Sequence, residues 1–363
     1  MPAAPRPRRV GLVTPYYRPV VGGITTFVGA LAEQLADVGA EVTILTGQGE
    51  PGDGVRVGPP DPSGFVKWCR AELMALRPDV IHAHAHWYCL APAFSPAGAR
   101  LAPRVVFTVH TRLEIRSPLR KLALRRLLKR ADAVTFVSER SRAEFTRRFG
   151  TPTRLEVVYP GARLLSRAGP PADREVGGFH VASVSMMVWP EKVRGLRVLL
   201  DAFAILRREL PKARLTLVGG GELGPQLEAY AADLGLVSAV TFAGIVPDPG
   251  EIIASSDVVC HISFQDSLAQ SVLEALALGV PVLANEGVFS DEIAARKDIG
   301  IIHCPATPTA IARELARIAS DGDLRRLLGA QGAAFVKRHF SWPEQGRRFW
   351  ELYGFGDAGS RTR

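Results

Sequence analysis

Residues 9–46 read RVGLVTPYYRPVVGGITTFVGALAEQLADVGAEVTILT, and this stretch sets the fold class. Two apolar runs, 9–14 and 41–46, flank a loop that contains glycine and a segment with helical spacing of apolar residues over about 25–38. Apolar runs of this length are typical of buried strands, and Gly39 ends the helix between them. A strand, a helix and a second strand form a βαβ unit, in which the two strands are parallel.

The same alternation continues along the chain. Further strands are predicted near 80–83, 105–109 and 133–137, and strands and helices alternate again from residue 180 onward. Between the two halves, LSRAGPPADREVGG at 165–178 has prolines, glycines and charges in place of an apolar period. The chain is therefore predicted to be α/β, with two doubly wound Rossmann-like domains joined by a linker.

The domain boundaries follow from this pattern. We expect an N-terminal domain over 1–165, a linker over 166–178 and a C-terminal domain over 179–338. Residues 339–363 are expected to form a helix that crosses back to the N-terminal domain, followed by a tail. Five aromatic residues make a free tail unfavourable there: Phe340, Trp342, Phe349, Trp350 and Tyr353.

Composition excludes several classes of protein. The chain has 363 residues, of which 47% are hydrophobic, which is enough to bury two cores. No apolar run is long enough to span a membrane, and the basic start MPAAPRPRR is not followed by the apolar stretch of a signal peptide. The four cysteines lack the paired spacing of a disulfide framework or a zinc site. A cytoplasmic protein is expected.

The net charge of +9 is concentrated between Arg112 and Arg148. Within this segment, SPLRKLALRRLLKRADAV alternates basic pairs with leucines at helical spacing, namely Leu119, Leu122, Leu127 and Leu128. Such a helix can lie on an anionic membrane, or it can bury its leucines in the core and leave its cations in water. The second interpretation is favoured, so weak peripheral membrane contact is a minor hypothesis. No nucleic acid partner is expected.

The segment FQDSLAQSVLEALALGVP, 264–281, has the strongest functional pattern. Ser267 and the glutamine three residues later have the spacing of a capping box, which predicts a helix that begins just after Asp266. The first turn of that helix would offer the backbone N–H groups of residues 269–271 to an anion. Glu274 lies seven positions beyond the predicted cap, on the side of the helix.

This arrangement suits a nucleotide diphosphate sugar. The helix end can hold the distal phosphate, Glu274 can accept hydrogen bonds from ribose hydroxyls, and Asp266 can meet the sugar. The alternative is an ordinary amphipathic helix with a solvated glutamate, which is more common when such a pattern stands alone.

Several motifs occur in an order that resembles one family. They are Gly22-Gly23, PDVIHAHAHW at 78–87, VHT at 109–111, ADAVTFVSE at 131–139, LVGGGE at 217–222, TFAGIVPD at 241–248, SDVVCHIS at 256–263, and Asp266 with Glu274. Together they resemble the family 4 retaining glycosyltransferases of the GT-B fold, also called glycosyl transferases group 1. In that fold two Rossmann-like domains face each other across a cleft.

The resemblance implies an enzyme that transfers a hexosyl group with retention. The donor would be a nucleotide diphosphate sugar, with UDP slightly favoured on family frequency, and the acceptor a hydroxyl of a natural product, glycan or lipid. Neither a metal nor another cofactor is implied, and the biosynthetic reaction would take place in the cytoplasm. A nucleotide-sugar epimerase or a non-catalytic nucleotide-binding relative is the alternative.

The resemblance also implies the site residues. The catalytic residues would be Asp266, His110 and Lys192. The residues that bind the donor would be Gly22, Gly23, Arg194, Gly219, Gly221, Ile245, Val246, Ser267, Leu268, Ala269, Gln270, Ser271 and Glu274. On the acceptor side we expect His84 and His86.

The chain departs from the family pattern where the donor diphosphate would bind. The family usually has an Arg there and a Lys a few residues later, whereas the Arg position of this chain holds Met186 or Met187. The Lys position is Lys192 or Arg194, depending on where a short insertion is placed, and Lys192 is favoured. Asp266 also stands where the family more often has Glu.

Two other sites fit parts of the sequence less well. His82, His84 and His86 alternate, so on a strand all three would point to one face and could hold zinc in a hydrolase. The glycines at 219–224 satisfy the G-x-G-x-x-G pattern of dinucleotide binding directly after a predicted strand. The next predicted strand, however, ends at 242–244 without the acidic residue that would bind ribose.

Overall fold

Two parallel sheets divide the chain into two compact units. Unit 1 comprises residues 1–161 and 342–363, and unit 2 comprises residues 162–341. Strands and helices alternate in both units, so the predicted α/β class with two doubly wound sheets is confirmed.

The computed structural model describes residues 6–20, 22–110, 113, 115, 117–162, 178–264, 268–286, 296 and 298–356. No helix within these ranges is long and apolar enough to cross a membrane. The predicted linker, 166–178, lies outside them apart from Gly178, and so do Asp266 and Ser267.

The sheet of unit 1 has seven strands, β1 (Arg8–Thr14), β2 (Ala40–Thr46), β3 (Val55–Val57), β4 (Val80–His84), β5 (Arg104–Val109), β6 (Ala133–Phe136) and β7 (Arg154–Val157). Their order is β3-β2-β1-β4-β5-β6-β7, and neighbouring strands are parallel. The central strands are apolar at successive positions because helices cover both faces of a parallel sheet. His82 and His84 of β4 are polar exceptions, and both are fully buried.

The helices of unit 1 that precede its last segment are α1 (Gly23–Asp37), α2 (Pro62–Leu76), α3 (Trp87–Leu90), α4 (Pro118–Leu128) and α5 (Glu139–Phe149). Asp61 caps α2, since its carboxylate accepts a hydrogen bond from the backbone N–H of Gly64 at 2.8 Å. Ser117 caps α4 in the same way. A proline follows each cap, at a position where the missing N–H leaves no helical hydrogen bond unmade.

The sheet of unit 2 has six strands, β8 (His180–Val184), β9 (Arg214–Val218), β10 (Val240–Gly244), β11 (Val258–His261), β12 (Val282–Asn285) and β13 (Ile301–Cys304). Their order is β10-β9-β8-β11-β12-β13, and neighbouring strands are parallel. The chain therefore builds outward from β8 in both directions. In open parallel sheets, ligands bind beyond the carboxyl ends of the strands at such a switch point, here between β8 and β11.

Among the described residues, the helices of unit 2 are α6 (Pro190–Glu209), α7 (Gly224–Asp233), α8 (Gly250–Ser255), α9 (Gln270–Ala277), α10 (Pro308–Ser320) and α11 (Gly322–His339). The core of the unit lies between these helices and the sheet, and α6 contributes much of it through Leu199, Leu200 and Phe203, which are fully buried.

The C-terminal segment returns to unit 1. Its helix, α12 (Trp342–Leu352), packs beside α1, where Trp342 and Phe349 lie around the ring of Phe27 at centroid distances of 5.3 Å and 6.0 Å. Tyr353, one residue beyond the helix, is 1% exposed. Phe340 instead packs on Phe335 in unit 2. The predicted domain bounds, 1–165, 166–178, 179–338 and 339–363, stay a prediction.

Close packing of two helices holds α9 in place. Gly279 ends α9 with a φ of 74°, and its carbonyl lies against Gly329 of α11. A Cβ atom on Gly329 would lie within van der Waals overlap of that carbonyl oxygen, at 2.1 Å. The backbones of α9 and α11 therefore touch without an intervening side chain.

We expect Gly329→Ala to lower the free energy of unfolding of unit 2 by about 1–3 kcal/mol, because the added methyl overpacks this contact. Gly322→Ala at the start of the same helix is the matched control, since a methyl there meets only arginine side-chain ends at 3.5 Å or more. Chemical denaturation followed by circular dichroism measures both. Equal stability of the two variants would contradict the contact.

Candidate active site

Helix α9 lies at the switch point of unit 2. The Ser271 hydroxyl donates a hydrogen bond to the carbonyl of Val184, the last residue of β8, at 3.2 Å. This bond ties the first turn of α9 to the carboxyl end of the central strand. The helix therefore begins where the fold predicts a ligand.

The predicted start of this helix is wrong. The capping box places the start just after Asp266, but α9 begins at Gln270 with Ala269 as N-cap and no side-chain cap. Ala269 is buried and has an extended backbone, with a φ of −92° and a ψ of 129°, so it precedes the helix instead of belonging to its first turn. The carbonyl of Ala269 accepts the first helical hydrogen bond, from the N–H of Val272 at 3.1 Å.

Glu274 is a buried residue of α9 and is 7% exposed. It lies between Leu273 and Ala275, which are fully inaccessible to solvent. The alternative of a solvated glutamate on an ordinary amphipathic helix is therefore wrong. A carboxylate is retained in such surroundings only where polar groups meet it.

The glycines that follow β9 pack against backbone. A Cβ on Gly219 would lie 2.0 Å from the carbonyl oxygen of Ser185, and one on Gly221 would lie 2.5 Å from that of Met187. Both glycines also have positive φ, 131° and 146°. A strand, a glycine loop and a helix follow one another here, as in a dinucleotide-binding site. Both glycines are already required by their contacts with the loop after β8, so their presence does not indicate a dinucleotide.

Met187 belongs to the core of unit 2. It is 2% exposed, its N–H donates to the carbonyl of Gly220 at 2.8 Å, and its own carbonyl accepts from the N–H of Leu223 at 3.0 Å. The side chain at this position therefore has a structural role. The neighbouring Val188 and Trp189 are exposed.

Lys192 and Arg194 both lie in the first turns of α6 but contact different groups. The Lys192 ammonium lies over the Trp189 ring at 5.2 Å, and the Arg194 guanidinium lies over the Phe264 ring at 4.1 Å. Phe264 closely follows β11, so Arg194 reaches the switch point. The next residue, Gly195, allows this approach, because a Cβ there would lie 1.9 Å from the carbonyl oxygen of Ile262.

Asn285 is a positioning residue that the sequence reasoning missed. Its Oδ1 accepts from the N–H of Ser263 at 2.8 Å, and its Nδ2 donates to the carbonyl of Ser263 at 3.0 Å. The amide thus holds the backbone just before the segment that contains Asp266. A polar residue at the end of the apolar run PVLAN is the signal from which it could have been found.

Ile245 and Val246 follow β10. Ile245 is 55% exposed, and its side chain lies beside Gly220 of the neighbouring loop. The two residues, predicted to receive the base, thus lie at the same edge of the sheet as Gly219 and Gly221.

In unit 1, His84 and His110 are brought together at the carboxyl ends of β4 and β5. His84 Nδ1 lies 3.2 Å from His110 Nε2, and the edge of the Phe27 ring packs on His110 at a centroid distance of 4.8 Å. Gly22 and Gly23 lie at the amino end of α1, the helix that contains Phe27. The space into which side chains at these two positions would project is open.

These histidines are neutral at physiological pH. Burial lowers the pKa of His110 to about 3, with a smaller contribution from the charge of His86. Burial likewise holds the pKa of His84 well below its usual range, and the charge of His82 acts in the same direction. His110 can therefore donate or accept a hydrogen bond but does not act as an imidazolium acid.

The three-histidine zinc site is wrong. The strand ends at His84, and Ala85 turns the chain with a φ of 65°, so His86 leaves the face that His82 and His84 share. His86 instead stacks on Tyr88 at 5.2 Å. Among the residues described, no cluster of His, Cys, Asp or Glu is arranged to hold a metal ion.

The leucines of α4 divide into two groups. Leu124 and Leu128 are buried, whereas Leu119 is 79% exposed and Leu122 is 48% exposed. The favoured interpretation, in which the leucines of this region lie in the core, is therefore wrong for Leu119 and Leu122. These two project from a helix whose exposed surface is basic.

Comparison with known proteins adds to this geometry. The family model described as Glycosyltransferase Family 4 matches residues 21–165, and that described as Glycosyl transferases group 1 matches residues 190–335. A D-inositol 3-phosphate glycosyltransferase of Salinispora tropica is 26% identical over 99% of this chain and 88% of its own length.

A GDP-mannose-dependent alpha-(1-6)-phosphatidylinositol monomannoside mannosyltransferase of Mycolicibacterium smegmatis is 29% identical over 72% of each chain. The solved structure of Anabaena HepE in complex with UDP-glucose shares the fold, with a TM-score of 0.75 and 20% identity over 96% of this chain and 99% of that chain. The two family models together match most of the sequence, one in each unit, and the chain belongs to the family 4 glycosyltransferases of the GT-B fold.

Proposed function

We propose that this glycosyltransferase moves a hexosyl group, with retention, from a nucleotide diphosphate sugar to an acceptor hydroxyl. The observation that carries the proposal is the burial of Glu274 on a helix whose first turn is bonded to the carboxyl end of β8. A carboxylate held at the ligand-binding edge of a parallel sheet can accept hydrogen bonds from ribose hydroxyls.

UDP is the favoured donor nucleotide and GDP the alternative. HepE, which shares the fold, is known in complex with UDP-glucose, whereas the mannosyltransferase relative is named for GDP-mannose. The base would lie against the backbone after β10, around Ile245 and Val246. A backbone contact of this kind can accommodate either base. A measurement of UDP and GDP binding therefore decides between the two nucleotides.

The donor diphosphate would lie at the amino end of α9. The backbone N–H groups of residues 269–271 and the helix dipole favour an anion there. Gly22 and Gly23, at the amino end of α1, are the second proposed backbone contact to the phosphates. Asp266 and His110 would meet the sugar, a role that for both residues comes from the family resemblance.

Arg194 is the better candidate for the phosphate cation than Lys192. Its guanidinium stacks on Phe264, close to the segment that carries Asp266, whereas the Lys192 ammonium lies over the exposed Trp189 ring. Arginine also presents paired donors to phosphate oxygens. With Met187 in the core, Arg194 would stabilise the leaving diphosphate in place of the family's Arg and Lys pair.

The proposed chemistry needs neither a metal nor a protein nucleophile. The bond between the anomeric carbon and the diphosphate oxygen breaks, and negative charge develops on that oxygen. Cations and helix dipoles placed around it lower the free energy of the transition state. The departing phosphate accepts the proton of the acceptor hydroxyl, which attacks from the same face, and configuration is thereby retained.

The names of the relatives indicate only a broad class of acceptor. One is named for inositol phosphate and another for a phosphatidylinositol mannoside, so a polyol or a glycolipid headgroup is the first class to test. A lipid acceptor would agree with the exposed leucines and basic residues of α4, which we propose as a weak contact to an anionic membrane.

We expect one nucleotide diphosphate to raise the melting temperature, because a ligand that binds only the folded state stabilises it by mass action. Thermal shifts with UDP, GDP, UDP-glucose, GDP-mannose and NAD identify which nucleotide binds.

Glu274→Gln should bind this nucleotide about 10- to 100-fold more weakly, because charge-assisted hydrogen bonds to ribose are lost. Glu228→Gln, at an exposed position of α7, is the matched control.

A shift with NAD alone, or equal nucleotide binding by Glu274→Gln and wild type, contradicts the donor site. Conversion of the donor sugar without an acceptor product would identify an epimerase. Binding without turnover of any sugar nucleotide would identify the non-catalytic relative.

Arg194→Ala should lower kcat/KM by about 100-fold or more, since a group that stabilises the leaving phosphate is lost. Lys192→Ala should stay close to wild type, and so should Arg197→Ala, the control one turn further along α6, where the guanidinium lies over Tyr230. Steady-state kinetics with the identified donor measures all three. A large loss in Lys192→Ala with an active Arg194→Ala would restore Lys192 as the cation.

The double variant Leu119→Gln with Leu122→Gln should bind vesicles of phosphatidylglycerol and phosphatidylcholine more weakly than wild type, because two exposed apolar anchors are removed. Met74→Gln on α2, also exposed, is the control. Vesicle co-sedimentation at low and high salt measures the binding. Wild-type protein that fails to sediment at low salt would refute the membrane contact.

A further inference from the structure

A buried chain of hydrogen bonds connects the C-terminal segment to the sheet of unit 1. The Tyr353 hydroxyl lies 2.7 Å from His82 Nδ1, and His82 Nε2 lies 2.6 Å from the Thr108 hydroxyl. The Thr108 hydroxyl lies 2.6 Å from that of Thr135. All four side chains are at most 1% exposed. The chain crosses β4, β5 and β6. Thr108 and Thr135 are direct register partners, whereas His82 lies two positions before His84, the register partner of Thr108 on β4.

The direction of the protons in this chain can be assigned. A buried phenol proton needs an acceptor, and His82 Nδ1 is the one within reach among the described residues. If Tyr353 donates to Nδ1, then the neutral His82 carries its proton on Nε2 and donates it to Thr108. Thr108 in turn donates to Thr135. In either direction one terminal hydroxyl proton has no acceptor among the described residues, that of Tyr353 or that of Thr135. A phenol is a stronger hydrogen-bond donor than an aliphatic hydroxyl, so the direction in which Tyr353 donates is favoured.

The ring nitrogens that carry the protons in the second pair, His84 and His110, can be identified in the same way. His84 Nε2 is buried and has no hydrogen-bond partner in the described part of the chain. If that nitrogen carried the proton, a buried N–H would be orphaned, which is rarer than an orphaned acceptor. His84 therefore carries its proton on Nδ1 and donates it to His110 Nε2 across 3.2 Å. The proton of His110 is then on Nδ1, the nitrogen not engaged with His84.

The two pairs are packed against each other. The rings of His82 and His84 lie 4.1 Å apart at an interplanar angle of 35°. Phe349 of α12 covers His82 at 5.2 Å, and Phe27 of α1 contacts both His84 and His110. A rotation of the His82 ring would therefore displace His84, and His84 holds His110.

We propose that Tyr353 is a positioning residue for glycosyl transfer, which acts through His82 and His84 to fix the orientation of His110. The inference rests on the proposed function, in which His110 meets the donor sugar. His110 then presents a neutral Nδ1–H to an oxygen of the sugar and exchanges no proton during the reaction. Docking of the C-terminal helix and the geometry of the sugar site are thereby coupled.

The test uses full-length protein labelled with ¹⁵N in its histidines. Nitrogen shifts and two-bond couplings report which ring nitrogen carries each proton. We expect wild type to show Nε2–H for His82 and Nδ1–H for both His84 and His110. In Tyr353→Phe, which keeps the ring and loses only the hydroxyl, the His82 Nδ1 signal should move because that nitrogen loses its donor, and the His110 signals should shift.

The kinetic expectation is a change in kcat without a matching change in KM. Loss of one positioning hydrogen bond should lower kcat of Tyr353→Phe by about three- to tenfold, with the KM for the donor within about twofold of wild type. Thr108→Val breaks the other end of the chain and should shift the His82 signals in the same way.

Two controls separate the hydrogen bond from packing. Tyr230→Phe removes a tyrosine hydroxyl that donates to Asp201 at 2.6 Å in unit 2, and it should change neither the spectra nor kcat. Trp350→Phe loosens α12 and leaves the chain of hydrogen bonds intact. It should lower stability without changing the tautomers.

Unchanged His82 and His110 signals in Tyr353→Phe would overturn the inference, and so would the same spectral change in Trp350→Phe. Shifted signals with an unchanged kcat would overturn the role in transfer. Wild-type protein that transfers no sugar would overturn the proposed function, whereas the spectra would still decide independently whether Tyr353 positions His82 and His110.

Discussion

Burial of both faces of a parallel sheet is the constraint on which the rest of this structure depends. Helices cover each sheet on two sides, so the strands are apolar along their length, and polar chemistry is confined to their carboxyl ends. Glu274, Arg194 and Asn285 of unit 2 all lie at or beside that edge. In unit 1 the edge carries His84 and His110. Each unit thus has one place where functional side chains can gather.

Backbone contact at glycine makes that edge rigid. Gly195, Gly219 and Gly221 lie where a methyl group would overlap a neighbouring carbonyl, so the loops after β8, β9 and β11 pack without side chains between them. Packing of this kind holds the amino ends of the helices at fixed positions relative to the strand ends. Electrostatic stabilisation of a leaving phosphate requires such preorganisation, because groups that must first move into place lose their advantage.

The interior of unit 1 contains polar side chains on strands that are otherwise apolar, and these side chains require hydrogen-bond partners. His82, Thr108 and Thr135 replace apolar residues in three adjacent strands, and each finds a partner within 2.7 Å. Burial lowers the pKa of His82 well below its usual range, so the ring stays neutral and contributes a donor and an acceptor. Unlike a structural apolar core, this network has a direction, and His82 within it packs against the histidine pair on the functional edge.

The sequence by itself determined the fold class and the order of the motifs, because apolar periodicity and glycine at loop positions are local properties of the chain. It also identified Glu274 as a functional candidate from its place on a predicted helix. The resemblance to family 4 glycosyltransferases was visible in the same way, from motif order and spacing.

Tertiary structure decided what local pattern could not. The helix begins later than the capping box predicted, since Ala269 is extended, and His86 left its predicted face because Ala85 turns the backbone. Whether Glu274 is solvated, and what Tyr353 touches, depends on segments far away in sequence. Burial and long-range hydrogen bonds are set by which elements pack together, and no window of neighbouring residues contains that information.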